Sequence, residues 1–146
     1  MADSDLIQLY SGRILALAAE IPHVGRLTAP QGTAKRRSPL CGSSVTVDVV
    51  LEGGRIVAFG QDVKACALGQ AAASVLGAVV IGRNRAELEG ARDALRGMLK
   101  GEGEVPMAPF EGYGVLLPAR DYKNRHASIM LALEAAVDAV TTAEKV

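Results

Sequence analysis

An α+β fold is what this sequence predicts, with a small three-stranded antiparallel sheet packed against several helices. Three observations point to it. One run alternates between apolar and polar positions and closes on Gly53-Gly54, stretches of helical period lie on both sides of it, and the order along the chain is helix, hairpin, helices. At 146 residues the chain has the length of one domain around one core, so residues 1–146 are read as a single domain.

The first helix is expected from Leu6 to Glu20, where Leu6, Leu9, Tyr10, Ile14, Leu17 and Ala18 keep one apolar stripe, Ser4 or Asp5 offers an N-cap, and Pro22 stops it. Pro22 to Pro39 has no period and is punctuated by Gly25, Pro30 and Gly32, so it reads as loop, with Lys35-Arg36-Arg37 a solvated part of it. Val45, Val47, Val49 and Leu51 then alternate with Ser44, Thr46, Asp48 and Val50. Arg55 to Gln61 returns across the glycine turn as the second arm of a β-hairpin. The third strand is assigned to Asp62–Ala65, or to a continuation of the second around a bulge. Cys66 opens an alanine-rich helix over about 67–76. A further helix covers 86–99, with Asn84 as cap and Glu87 as its capping-box partner. Residues 101–112 read as loop and Tyr113–Leu117 as a short extended piece. The last helix runs from the Lys123–Ala127 region to about Val140, burying Ile129, Met130, Leu133, Ala136, Val137 and Val140.

Composition narrows the function. Apolar residues make up 49% of the chain but aromatics only 3%, so the core is packed by small aliphatic groups that let helices lie close. Sixteen basic and sixteen acidic side chains cancel, which removes the cationic excess of a dedicated nucleic-acid binder. The N-terminus Met1-Ala-Asp-Ser-Asp5 is acidic and is followed by no apolar cleavage-type segment. The apolar stretch Ala65–Gly82 is largely alanine and carries Gln70 and Ser74. A cytoplasmic protein with no membrane partner is therefore expected. No Gly-x-Ser-x-Gly turn, phosphate-binding glycine loop or His-Glu-x-x-His helix is present, so a hydrolase or transferase finds no support and the protein is not expected to be an enzyme.

The residues that carry chemistry are Cys41, Cys66 and His126. Cysteines in a reducing compartment are more often free thiols, metal ligands or redox groups than a staple. Cys41 precedes the first strand of the hairpin, Cys66 stands between sheet and helix, and His126 opens the last helix. Helix starts favour anions such as a thiolate. Their spacings of 25 and 60 residues match no zinc-finger pattern, so buried inert cysteines and a capping histidine stand beside the metal reading.

The surrounding motifs add weight. Pro39-Leu-Cys-Gly-Ser-Ser-Val-Thr-Val-Asp-Val49, the glycine-turned hairpin, Val63-Lys-Ala-Cys-Ala-Leu-Gly-Gln-Ala-Ala-Ala-Ser-Val75, and Leu9-Tyr-Ser-Gly-Arg-Ile-Leu15 followed by Pro22-His-Val-Gly25 together resemble the U-type iron–sulfur cluster assembly scaffolds, over nearly the whole chain. The long segment between Cys66 and the last helix resembles the Suf-type branch (SufU-like) more than the Isc-type. The resemblance implies an IscU/SufU-like fold and a platform that takes sulfur from a cysteine desulfurase. Such a platform holds iron, a nascent [2Fe-2S] cluster or zinc, and hands its cargo to cluster-accepting proteins, as a monomer or homodimer. It also implies a ligand set of three cysteines and an aspartate. Cys41 and Cys66 match the first two cysteines, but the aspartate position is Ser43 and the third cysteine position is Ser128, with His126 two residues earlier. The expected metal ligands are therefore Cys41, Cys66 and His126. A serine hydroxyl is almost fully protonated at neutral pH and ligates poorly. A Cys2His site, a cluster shared between two chains, and a degenerate sulfur acceptor with no stable metal all stay open.

Overall fold

The computed structural model describes residues 11–39 and 42–146. Its elements, in chain order, are helix α1 (Gly12–Ala19), strands β1 (Gly32–Arg37), β2 (Ser44–Glu52) and β3 (Arg55–Lys64), helices α2 (Ala67–Val79) and α3 (Arg85–Lys100), a 3-10 segment (Glu111–Asp121), and helix α4 (Lys123–Ala143). The strands form one antiparallel sheet in the order β1-β2-β3, as the α+β reading requires.

Of the two expectations for Asp62–Ala65, the continuation holds: the second arm runs from Arg55 to Lys64, with a register shift opposite Val50 and Leu51. The third strand is β1, from within the segment read as loop. Gly-Thr-Ala-Lys-Arg-Arg has neither β-branched enrichment nor a clean alternation. It is extended because the open edge of β2 offers it hydrogen bonds, a non-local reason that local propensity does not carry. Tyr113–Leu117 is likewise 3-10 helical rather than extended. Ser11 caps α1, its hydroxyl accepting from the Ile14 N–H at 3.4 Å; the expected start at Leu6 and the caps Ser4 and Asp5 lie outside the described residues. The Asn84–Glu87 capping box is present in both directions, and Gly101 closes α3 in the left-handed conformation.

Helix α4 is the centre of the molecule. It packs on β1 and β2, on α2 and on α3. The expected face is buried, and so are Leu131, Ala132, Ala135 and Ala139, so the helix is enclosed nearly all round. Alanine makes this closeness affordable in volume. The tightest approach is to β1 at Gly32, where an added Cβ would run into the Ala139 carbonyl; α2 also comes close at Gly69, where an added Cβ would stand 2.7 Å from Ser128 Oγ and 2.8 Å from Ala65 Cβ.

On the opposite face of the sheet, Asp48 is fully buried in the middle of β2. Its carboxylate accepts from Arg26 Nε at 2.6 Å and Nη2 at 3.2 Å, from Thr33 Oγ1 at 2.6 Å and from the Leu27 N–H at 3.0 Å. Burial alone would push this carboxyl up. The hydrogen bonds from Arg26, Thr33 and Leu27, with the guanidinium charge, outweigh it and hold Asp48 below the ordinary carboxylate range. The interaction ties the segment after α1 to both β1 and β2. No helix among the described residues is long and apolar enough to cross a membrane.

Two stability predictions follow from these contacts. Asp48→Ala removes the shared acceptor of the Thr33 hydroxyl, the Leu27 N–H and Arg26, and should cost about 2–3 kcal/mol in urea unfolding at pH 7. Because folding lowers the Asp48 pKa, its contribution is complete above the unfolded value of about 3.9 and fades as pH falls through the folded value. The gap between wild type and variant should therefore narrow in acid, and a gap that widens there would contradict the assignment. Gly69→Ala gains up to about 1 kcal/mol of helix propensity. It must nevertheless displace Ala65 and Ser128, at roughly 1–3 kcal/mol for overpacking, so net destabilisation in the same measurement is expected.

Candidate sulfur and metal site

The antiparallel register places Arg37, Ser44 and Lys64 side by side, so β1 ends, β2 begins and β3 ends at one edge of the molecule. Beyond Lys64 the chain takes one residue to reach Cys66, the N-cap of α2, in extended conformation with φ −67° and ψ 171°. The Cys66 carbonyl accepts from the Gln70 N–H at 2.9 Å and so starts the helix, leaving the side chain free of capping duty. The thiol is free and partly exposed.

Cys66 Sγ lies 3.5 Å from Ser128 Oγ, and Ser128 donates to Ser43 Oγ at 3.2 Å. Ser43 and Ser128 are 4% and 1% exposed, so this chain of polar atoms runs from a solvent-reachable sulfur into the interior. It joins the starts of α2, α4 and β2. In the contact with Cys66, either the thiol or the Ser128 hydroxyl can be the donor. A sulfur anion at the same place would draw that hydroxyl hydrogen toward itself. The connection ahead of Ser43 is closed by Ser38 N–H to Ser43 O at 2.8 Å and Gly42 N–H to Ser38 O at 3.1 Å.

Of the three expected ligands, Cys66 occupies this cluster and Cys41 lies outside the described residues. His126 is not in the cluster. Its Nε2 is 3.0 Å from both the Ala119 and Arg120 carbonyl oxygens, at the end of the 3-10 segment. Two residues separate it from Ser128, about 200° around a helix, so the two side chains leave α4 in nearly opposite directions. His126 lines a recess with Leu99, Lys100 and Met130 between α3 and α4. Among the described residues, no group of three or more His, Cys, Asp or Glu side chains converges on one point. The serines at the positions where the resemblance implies an aspartate and a third cysteine do meet at Cys66. Nothing in composition or period marked them; only their alignment with the family pattern did.

The described donors are one sulfur and two hydroxyls, short of a ligand set. A thiolate at Cys66 suits soft and borderline metals and sulfur exchange. Two hydroxyls engaged with each other and with that sulfur complete no tetrahedral shell, so these residues do not by themselves fit a resident zinc ion or cluster.

No protein-family model matches the chain, and no curated protein does. Solved structures do. The N-terminal part of a nitrogen-fixing NifU-like protein from Brucella abortus is 41% identical, with a TM-score of 0.93 over 97% of this chain and 98% of that one. A protein described as a putative iron–sulfur cluster assembly scaffold for the SUF system of Fervidobacterium islandicum AW-1 is 20% identical, with a TM-score of 0.80 over 92% of this chain and 98% of that one, a likeness of fold. At this identity over nearly its whole length, and with the same fold, the chain belongs to the NifU-like, U-type iron–sulfur scaffold family.

Proposed function

We propose that this chain serves iron–sulfur cluster assembly as a U-type scaffold whose primary cargo is sulfur. Cys66 receives it from a cysteine desulfurase, Cys41 is the second thiol, and cluster-accepting proteins take the product. The observation that carries this reading is the partly exposed Cys66 sulfur at the start of α2, hydrogen-bonded to Ser128 and with no disulfide among the described residues. In the transfer, the Cys66 thiolate attacks the terminal sulfur of the donor's persulfide. A new S–S bond forms at Cys66, the donor's S–S bond breaks, and the donor cysteine leaves as a thiolate. The terminal sulfur keeps its proton and no outside electron is needed. Ser128 then has a hydroxyl hydrogen to offer the sulfur, and Ser43 an oxygen behind it.

Iron, a nascent [2Fe-2S] unit or zinc enters this reading as cargo held by the thiolates of Cys41 and Cys66, with the remaining coordination supplied from outside the chain. His126 is given an anchoring role on the 3-10 segment, which its two carbonyl contacts support. The hydrogen-bonded serine pair favours a second reading, in which the chain accepts sulfur without a stable metal.

Incubation with a cysteine desulfurase and cysteine should add one sulfur atom to Cys66 by mass spectrometry, and Cys66→Ser should abolish it. Anaerobic reconstitution with iron and sulfide separates the two readings. Charge-transfer absorption that disappears in the Cys41→Ala, Cys66→Ala double variant supports cargo metal, and a colourless product supports sulfur alone. Installing the carboxylate and thiol that the family pattern has, as Ser43→Asp with Ser128→Cys, should raise zinc affinity in a competition titration by more than the roughly 10–100-fold that outer-shell changes produce. An unchanged affinity would show that residues 43 and 128 do not face the metal position.

A further inference from the structure

Seven of the sixteen cations of this chain are ion-paired among the described residues. Arg26, Arg36, Arg55, Arg83, Arg85, Arg92 and Arg96 each have a carboxylate within 4.0 Å. Lys35, Arg37 and Lys64 are three of the nine that have no ion-pair partner among the described residues, and all three are exposed. The register brings them together. Arg37 pairs with Ser44, which pairs with Lys64, so the two cations flank one residue on one face of the sheet. Lys35 is two residues back along β1 and therefore on that same face.

This is the face opposite α4, since Val45, Val47 and Val49 turn to the core and Ser44, Thr46 and Asp48 away from it. Its carboxylates do not neutralise the cluster. Asp48 is held by Arg26, and Asp62, across from Thr46, lends its charge to Arg26 as well. Charges on edge strands deter edge-to-edge pairing, and β1 and β3 are both edges. That function is met by either sign. It does not account for three positive charges at the one end of the sheet that leads into Cys66 and, along the chain, into the connection bearing Cys41. In a chain of zero formal net charge this is a local field, and like charges within about a Debye length (~10 Å at 0.1 M salt) favour an anionic neighbour.

Resting on the sulfur-receiving role above, we propose that Lys35, Arg37 and Lys64 form a docking strip for a carboxylate-rich surface of the protein that delivers sulfur to Cys66. The strip sits beside the acceptor sulfur rather than on it. It steers the donor and orients its persulfide, and takes no part in the bond exchange.

The test compares two sulfur sources on the full chain. One is a cysteine desulfurase preloaded with cysteine, the other inorganic polysulfide, which needs no docking. Sulfur on Cys66 is followed by mass spectrometry for wild type, Lys35→Glu/Arg37→Glu/Lys64→Glu and the milder triple alanine variant, with circular dichroism to establish that each is folded. Charge reversal should slow transfer from the desulfurase by roughly 10-fold or more at low salt. Wild-type transfer should weaken steeply toward ~0.15 M salt and under added poly-L-glutamate, while polysulfide, an anion given in excess at that screening salt, loads all three proteins to the same final extent. Equal desulfurase transfer to wild type and both variants would overturn the docking strip. So would an equal loss with polysulfide, which would mean a local effect at Cys66, or competition by polyuridylate but not by poly-L-glutamate. Wild type that takes sulfur from neither source would overturn the sulfur-receiving role itself, an outcome distinct from failure of the strip alone.

Discussion

Helix α4 has almost no free face, and that enclosure is the constraint on which the rest of the structure depends. A helix surrounded by the sheet, α2 and α3 must carry small side chains wherever another backbone comes near. Ala132, Ala135, Ala136 and Ala139 meet that demand along its length. At its N-terminal end the demand passes to the partner, and Gly69 of α2 is the residue without a side chain. Close packing of this kind leaves little room for adjustment, because interiors are as dense as organic crystals. The same contact therefore sets both the helix crossing and the position of Ser128 beside Cys66.

The polar interior of the site is a consequence of that placement. Ser128 and Ser43 are buried hydroxyls that would cost free energy if left unpaired, and each satisfies the other while the outer end of the chain reaches the Cys66 sulfur. An aspartate and a cysteine at these two positions would form a ligand set. Two serines form a hydrogen-bonded support for a single sulfur.

Two electrostatic arrangements sit on the same face of the sheet and differ in kind. Asp48 and Arg26 form a partly desolvated, multiply hydrogen-bonded pair that fixes a loop, and it acts within the molecule. Lys35, Arg37 and Lys64 are exposed and unmatched, and their field acts outward. Burial and partnering, not residue type, separate a structural charge from one available for recognition.

Much of the fold was legible in the amino-acid sequence because it is governed by local rules. The hairpin could be read from its alternation and its two glycines, α3 from a cap–Glu pair three residues apart, and α4 from one apolar stripe. The family likeness rested on short motifs around Cys41 and Cys66, and it marked positions 43 and 128 as departures. Tertiary structure alone decided what non-local contacts govern. Gly32–Arg37 became a strand because the edge of β2 offered it partners. Tyr113–Leu117 became part of a 3-10 turn, with Tyr113 and Leu116 packed into the core. His126 was drawn to the Ala119 and Arg120 carbonyls, and Ser43, Cys66 and Ser128, separated by up to 85 residues, were joined in one hydrogen-bonded line. Local propensity acts over a few neighbours, whereas a buried hydroxyl takes whichever partner the packed helices bring within reach.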